Sequence, residues 1–348
     1  DRHGRAGFYS GPIASLIVKE MAKGNGIISL SDLEQYSSKY RDPVFGTYKD
    51  FKIISMGPPS SGGVLLINML NMLEEFSLDT IGWNSSDYVH LLTEVERRAY
   101  ADRAVHLGDP DFWEVPTKIL SSKGYAKDRI LDINLNKATL SSDISASTLT
   151  QYESIETTHY SVVDQWGNAV SVTTTINLNY GNGHVVEGAG FFLNNEMDDF
   201  SSKPGTPNAF GLVGNEANAI EANKRPLSSM TPTIVLKNNA PYIVIGSPGG
   251  STIITTVMQS ILNIIEYNMD IKEAVSVPRF HSQWLPDVIQ IEPHGIVKDV
   301  LINLKKRGHK VSFYRGGGYI GEANGIMIQE NGYYGGGDTR GETSAVGY

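Results

Sequence analysis

Cysteine is absent from all 348 residues of the chain, so disulfide bonds, cysteine–zinc sites and cysteine nucleophiles are excluded for this segment. No apolar run reaches the roughly eighteen residues that a membrane-spanning helix needs. The formal net charge is -9 and no block of lysine or arginine stands out, so a nucleic-acid-binding surface is not expected.

Three widespread motifs are missing as well. The chain has no G-x-S-x-G sequence, which marks the serine of an α/β-hydrolase. The segment GPPSSGG lacks the lysine of a Walker A loop. The eight histidines are scattered and lack the H-E-x-x-H spacing of a metal site. We therefore expect a reaction that uses neither a metal ion nor a cofactor.

The pattern of apolar residues predicts a chain of mixed helices and strands. Helical spacing indicates helices over 11–23, 64–76 and 86–106, and Ser31 with Glu34 has capping-box spacing. Further helices are expected over 252–267 and 301–306. Strand patterns cover 43–56 (with a turn at Lys49–Asp50), 233–236, 242–245, 288–291 and the vicinity of 311 and 326. Hairpins dominate the second half, which favours an α+β layered sandwich over a doubly wound parallel sheet.

A possible nucleophile stands at the start of a predicted hairpin. Residues 137–150 are rich in serine and threonine without a strong apolar period, which predicts an exposed, mobile segment. Two alternating strands follow, around a turn that contains Gly167 and Asn168. Thr157 opens the first of these strands. From this pattern alone a structural threonine is the better interpretation, because threonine is common in strands.

Several motifs together resemble the γ-glutamyltransferase (γ-glutamyl transpeptidase) family. In chain order they are PPSSGGV, ERRAYADRAVHLGDPDF, TTHYSVVD, NNEMDDF, NKRPLSSMTPTIV, GSPGGS followed by IITT, and PRFHSQWLPD. The resemblance matches residues 1–156, with a mobile linker over 137–156, to the C-terminal part of the large subunit. It matches 157–348 to the small catalytic subunit, and it implies a single domain. The implied fold is a four-layer αββα sandwich of the N-terminal-nucleophile hydrolase type.

The resemblance implies a self-processing enzyme that cuts itself between Glu156 and Thr157. An internal threonine has no base of its own, whereas the freed α-amine, with a pKa of about 7.7–8.0, can accept a proton near neutral pH. Thr157 would then attack the γ-carbonyl of a γ-glutamyl amide such as glutathione. The resulting ester would pass to water or to the amine of an amino acid or peptide.

Family positions also carry over to other residues of the site. Thr175 matches a threonine that hydrogen-bonds the nucleophile, and the N–H groups of Gly249 and Gly250 match the oxyanion donors. The residues that match the substrate's head-group ligands are Asn177, Glu196 and Asp199 for the α-amino group, and Ser228 and Ser229 for the α-carboxylate.

Three features depart from the family pattern. The arginine that clamps the α-carboxylate belongs to a further N-terminal stretch of full members, so we expect this chain to be a fragment. Phe210, in an expected lid over 204–214, replaces a tyrosine of some members. Thr252 stands where close relatives carry an arginine.

Other interpretations stay open at this point. The chain could be a non-catalytic or unprocessed fragment on the same scaffold, a related acylase, or a poly-γ-glutamate depolymerase. For the active enzyme the expected partners are a γ-glutamyl donor, an amino acid or peptide acceptor, and the large and small subunits paired after cleavage. The family habit predicts a periplasmic or secreted protein.

Overall fold

The computed structural model describes residues 3–144, 157–203, 205–206, 208 and 212–348. The chain forms two compact units, Asp1–Arg41 with Ile176–Glu196, and Asp42–Thr175 with Met197–Tyr348. These bounds differ from the expected subunit boundary at 156/157, which concerns cleavage of the chain and stays a prediction. Among the described residues, no helix combines the length and apolar character needed to cross a membrane.

The first unit holds three helices and the segment 176–196. The helices are α1 (Gly4–Tyr9), α2 (Pro12–Gly24) and α3 (Leu30–Gln35). The expected capping box at Ser31 and Glu34 is wrong, since both residues lie inside α3. Ser29 is the N-cap: its hydroxyl accepts from the Asp32 N–H at 3.3 Å, and the Asp32 carboxylate accepts from the Ser29 N–H at 2.7 Å.

The second unit contains the remaining elements. Its strands are β1 (Val44–Tyr48), β2 (Phe51–Ser55), β3 (Thr158–Val163), β4 (Ala169–Thr174), β5 (Thr233–Lys237), β6 (Ala240–Gly246), β7 (Phe280–His281), β8 (Ile289–Ile291), β9 (Val311–Phe313), β10 (Asn324–Gln329) and β11 (Gly332–Gly337). Its helices are α4 (Gly62–Leu73), α5 (Ser86–His106), α6 (Thr117–Leu120), α7 (Lys123–Arg129), α8 (Thr252–Ile265), α9 (Ile271–Ser276) and α10 (Lys298–Lys306).

A six-stranded antiparallel sheet forms the centre of this unit, in the order β1-β2-β5-β6-β10-β11. Helix α4 contacts β1 and β2, helix α8 contacts β6, and the two helices contact each other. The β3–β4 hairpin packs on β5, β6 and β10. Helices, sheet and hairpin are thus stacked layers, which confirms the expected α+β sandwich.

Helix α4 lies where helical spacing predicts a helix over 64–76, but it has no exposed face. All twelve of its residues are buried, because α5, α7 and α8 cover the sides that the sheet leaves exposed. Close packing at its start requires glycine: a Cβ on Gly62 would lie 2.2 Å from the Met230 carbonyl oxygen. Such a helix is apolar all round, so its sequence shows no solvent-facing stripe.

The predicted mobile segment is anchored over its first part. The Ala138 N–H donates to the Arg307 carbonyl at 2.8 Å. The Ser141 hydroxyl donates to the Trp284 carbonyl at 2.5 Å, and the buried Trp284 indole N–H donates back to the Ser141 carbonyl at 2.9 Å. A buried indole needs such an acceptor, so residues 137–144 are held in place. Residues 145–156 lie outside the described part of the chain.

A buried ion network fixes the chain after β11. The guanidinium of Arg279 contacts the Asp338 carboxylate at 2.6 Å, and Arg340 contacts Asp338 at 2.8 Å and Glu292 at 2.6 Å. The two arginines alternate with the two carboxylates, so each buried charge has an opposite neighbour. This network holds the C-terminal segment against the small sheet of β7, β8 and β9.

The side chains of His90, Glu94 and His309 are buried together, with one ligand atom of each within 4.8 Å of the others. The two imidazoles are bonded directly, Nδ1 of His90 to Nε2 of His309 at 2.6 Å. His90 Nε2 lies 2.9 Å from the Asn134 carbonyl, and Arg97 lies 3.4 Å from His309 Nδ1. Each nitrogen therefore has a partner, and the arrangement fits a hydrogen-bonded chain of neutral histidines better than a metal site.

This chain of histidines makes stability depend on pH. Burial and the nearby Arg97 lower the pKa of His309 to about 3, and burial lowers that of His90. The unfolded state binds these protons near pH 6.5, so stability is lost as the pH falls from about 6.5 towards 3.

We expect the free energy of unfolding of a His309→Gln variant to fall less steeply with acid, by about 1.4 kcal/mol per pH unit for one proton. Glutamine can still donate to His90 and accept from Arg97. Chemical denaturation at pH 7, 6 and 5 measures the slope. The exposed His3→Gln serves as the control, and equal slopes for all three proteins would contradict the prediction.

Candidate active site

The register of the β3–β4 hairpin sets Thr157 opposite Thr175. Thr158 pairs with Thr174, so the next residue outward on each strand is a threonine. The hydroxyl oxygens of Thr157 and Thr175 lie 3.3 Å apart. The expected turn at the other end is confirmed, with Gly167 at φ 82. The structure therefore brings together the predicted nucleophile and the residue expected to hydrogen-bond it.

Polar side chains join the hairpin to the central sheet. The imidazole of His159 bonds the hydroxyls of Thr173 at 2.9 Å and Ser161 at 3.1 Å, and Ser161 donates to the Val244 carbonyl at 3.2 Å. A Cβ on Gly246 would lie 2.3 Å from the His159 ring, so only glycine fits there. Burial lowers the pKa of His159 to about 4, which keeps this histidine neutral near pH 7.

Thr157 borders a cavity of about 640 Å³. Strand β3 forms one wall, the C-terminal residues 342–346 form another, and Pro248, Glu322 and residues of β10 and β11 also line the cavity. Burial, helped by the charge of Asp338, raises the pKa of the Glu322 carboxyl. Because Thr157 and Pro248 line one cavity, the loop between β6 and α8 reaches the same cavity as the predicted nucleophile.

The loop that follows β6 carries the two predicted oxyanion donors. Gly249 has φ 136 and Gly250 has φ 54, both in the region that favours glycine. A Cβ on Gly249 would lie 2.6 Å from the Thr252 hydroxyl. Thr252 is fully buried at the start of α8 and donates this hydroxyl to the Gly249 carbonyl at 2.8 Å. Thr252, which stands where close relatives carry an arginine, thus gives the loop a side-chain hydrogen bond.

Ser228 and Ser229 lie beside a buried arginine that sequence reasoning missed. The Ser228 hydroxyl accepts from the Met230 N–H at 3.1 Å, and the Ser229 hydroxyl accepts from Arg103 at 3.3 Å. A hydroxyl that accepts in this way keeps its own proton for donation to a further acceptor, as binding of a carboxylate requires. Arg103 also donates to Ser61 at 2.9 Å, which fixes its position.

Asp199 ends the short helical turn Glu196–Asp199. Its carbonyl accepts from the Asn218 amide at 2.7 Å. Burial lowers the pKa of Arg103 to about 10, while the carboxylate of Asp199 acts in the opposite direction. Asp199 and Ser229 are therefore both electrostatic neighbours of Arg103. The signal for Arg103 was the motif ERRAYADRAVH, whose charged residues are buried along α5.

Asn177 and Glu196 belong to the first unit. Asn177 is buried with φ 72, and its amide donates to the Asn195 carbonyl at 3.0 Å. The Leu178 N–H donates to the Asn195 side chain, also at 3.0 Å. The segment 176–196 thereby folds back on itself, which sets Asn177 beside the residue that precedes Glu196.

Two predicted features lie outside the described residues: Glu156 on the donor side of the cleavage site, and Phe210 in the expected lid. At the ends of that lid, the Gly205 N–H donates to the Gly214 carbonyl at 2.9 Å.

Known proteins with similar sequences belong to the family that the motifs resemble. The sequence model of the Gamma-glutamyltranspeptidase family matches residues 1–348. The chain is 48% identical over 334 residues to the glutathione hydrolase proenzyme of Escherichia coli, covering 96% of this chain and 57% of that protein. It is 36% identical over 303 residues to the acylase ACY 1 proenzyme of a Pseudomonas species, covering 87% and 51%. The chain thus spans little more than half the length of these relatives.

Solved structures agree. A mutant of Helicobacter pylori gamma-glutamyltranspeptidase is 60% identical, with a TM-score of 0.51 over 53% of this chain and all of that one. The cephalosporin acylase of Bacillus halodurans shares the fold, with a TM-score of 0.82 over 99% of this chain and 60% of that one at 24% identity. With the family model matched from end to end, this chain belongs to the γ-glutamyltranspeptidase family.

Proposed function

We propose that this chain is part of a self-processing γ-glutamyltransferase and hydrolase that acts on γ-glutamyl amides such as glutathione. The observation that carries the proposal is the pair of hydroxyls at Thr157 and Thr175, which lie 3.3 Å apart, with Thr157 in the wall of a cavity of about 640 Å³. The glutathione hydrolase proenzymes among its relatives support the same activity.

Cleavage between Glu156 and Thr157 would create the nucleophile and its base on one residue. The new α-amine takes the proton of the Thr157 hydroxyl while the oxygen attacks the γ-carbonyl carbon. Thr175 stabilises the developing charge on that oxygen through its own hydroxyl. His159 lies two residues away, but its lowered pKa and its two hydroxyl partners suit it to holding the strand.

The attack produces a tetrahedral intermediate with negative charge on the former carbonyl oxygen. The N–H groups of Gly249 and Gly250 donate to this oxygen. The carbon–nitrogen bond then breaks, the α-ammonium returns its proton to the leaving amine, and a γ-glutamyl ester of Thr157 remains. Attack on the ester by water releases glutamate, and attack by an amine gives a new γ-glutamyl amide.

The remaining family positions suggest a substrate with a free α-amino acid head group. The hydroxyl groups of Ser228 and Ser229 donate to the α-carboxylate, and Arg103, which contacts Ser229, adds positive charge. From the family resemblance we infer that Asn177, Glu196 and Asp199 are ligands of the α-ammonium. This set favours γ-glutamyl donors over the substrates of the acylase relatives.

We further propose that the processed subunits stay paired and that the protein works in the periplasm or outside the cell. The family resemblance supports both statements.

Self-cleavage is tested by mass spectrometry under denaturing conditions. For residues 1–348, cleavage before Thr157 gives pieces of roughly 17 and 21 kDa from the 38.0 kDa chain, in proportion to their lengths. We expect Thr157→Ala to remain uncut and inactive. Turnover that survives in this variant would contradict Thr157 as the nucleophile.

Thr175→Val should lower kcat about tenfold and slow processing, because one hydrogen bond to the reacting oxygen is lost. Thr174→Val is the matched control, since its exposed side chain points to the other face of the same strand. Equal losses in both variants would indicate a general disturbance of the hairpin.

Rates on a γ-glutamyl anilide, a glutaryl anilide and poly-γ-glutamate separate the three related activities. The γ-glutamyl anilide should react fastest, because the glutaryl anilide lacks the α-amino group and the internal units of the polymer carry their α-amine as an amide. A preference for the glutaryl compound would favour an acylase. A processed protein that acts on none of the three would favour a non-catalytic role.

A further inference from the structure

The carbonyls of the loop between β6 and α8 are held by side-chain hydroxyls. The Ser247 hydroxyl donates to the Pro248 carbonyl at 2.6 Å, and the Thr252 hydroxyl donates to the Gly249 carbonyl at 2.8 Å. The hydroxyl of Tyr100, on α5, donates to the Ser251 carbonyl. Two glycines would leave such a loop with many conformations, and these bonds select one.

A peptide group is planar and almost always trans, so its C=O and N–H bonds point in opposite directions. A bond that fixes the Pro248 carbonyl therefore also fixes the direction of the Gly249 N–H. In the same way, the bond from Thr252 to the Gly249 carbonyl fixes the direction of the Gly250 N–H. The direction of each predicted oxyanion donor is thus set by a hydrogen bond to the carbonyl of the same peptide group.

Burial makes these bonds rigid. Ser247 and Thr252 are both fully buried, and the Ser247 hydroxyl also accepts from the Glu322 N–H at 3.0 Å. The Gly249 carbonyl receives a second bond, from the Thr252 N–H at 3.0 Å. Gly321 closes the space behind the loop, since a Cβ there would lie 2.9 Å from the Ser247 hydroxyl. The loop cannot turn its carbonyls towards the cavity without breaking these contacts.

We propose that Ser247 and Thr252 are positioning residues that aim the Gly249 and Gly250 N–H groups at the oxyanion of the reaction. The proposal rests on the function proposed above, because it presumes an oxyanion formed at Thr157. Neither Ser247 nor Thr252 lines the cavity that Thr157 borders. Their contribution lies in alignment of the donors before the reaction begins, which avoids reorganisation in the transition state.

The main test is Thr252→Val in the processed enzyme, assayed with a γ-glutamyl anilide. Valine keeps the shape of threonine and removes only the hydroxyl. Loss of a whole oxyanion donor costs about a hundredfold or more in kcat, so loss of one of two bonds that align a donor should cost about tenfold. KM should change by less than about twofold, because the ground-state carbonyl does not depend on the aligned donors. Ser247→Ala should behave in the same way.

Two further variants separate alignment from packing. Thr252→Ser keeps the hydroxyl and should restore kcat to near that of the unmodified enzyme. Thr256→Val makes the same chemical change one helical turn later, at an equally buried site. The Thr256 hydroxyl has no hydrogen-bond partner among the described residues, so this control should keep its kcat. Melting temperatures of all variants report any loss of folded protein.

A γ-boronic acid analogue of glutamate gives a second, independent reading. Boron forms a tetrahedral adduct with the nucleophile's oxygen, whereas glutamate itself binds without one. In Thr252→Val the inhibition constant of the boronate should rise by the factor by which kcat falls, and that of glutamate should not change.

Unchanged kcat in Thr252→Val, or an equal loss in Thr256→Val, would overturn the inference. Failure of the unmodified, processed enzyme to turn over any γ-glutamyl compound would instead overturn the proposed function. The two failures are therefore distinguishable.

Discussion

Pairing between two antiparallel strands decides which side chains meet across them, because successive residues alternate between faces and the register is fixed by the turn. In this chain the turn at Asp164–Gly167 sets Thr158 against Thr174, and so Thr157 against Thr175. A slip of one residue would turn His159 away from the sheet and separate the two hydroxyls. The candidate site therefore depends on this register more than on any single contact.

The hairpin holds its position through polar contacts that are partly buried. His159 fills the space above Gly246, and the hydroxyls of Ser161 and Ser171 reach carbonyls of β6. Buried polar groups stabilise a unique packing only when each one finds a partner. Strand β6, which the hairpin contacts, leads directly into the loop that carries Gly249 and Gly250. Strand β6 therefore helps to position both the predicted nucleophile and the predicted oxyanion donors.

Hydroxyl groups recur in this second unit as devices that orient other groups. Ser247 and Thr252 donate to backbone carbonyls, and by doing so they set the direction of the next N–H. Ser228 and Ser229 accept instead, from Met230 and Arg103, so that their own hydroxyl protons remain available for donation. In the first case the hydrogen bond sets the direction of an N–H group, and in the second it leaves a hydroxyl to act as a donor. Both arrangements exist before a ligand binds.

The sequence by itself determined the local elements: the hairpins at 44–55 and 158–174, the long helix α5, and strands β5 and β6 were all predicted from periodicity and turn residues. It also determined the family, through the order of several motifs. The local elements depend on residues that are close together in the chain, and the family is recognised from the order of whole sequence segments.

Only the tertiary structure decided which distant residues meet. Helix α4 is buried on every side, His90 bonds His309, Trp284 anchors Ser141, and Arg103 reaches Ser229. None of these contacts leaves a periodic signal. Burial depends on which other elements cover a surface, and each of these hydrogen bonds joins two groups that are more than a hundred residues apart. The direction of the donors at Gly249 and Gly250 was decided in the same way, by hydroxyls whose role appears only once the loop is folded.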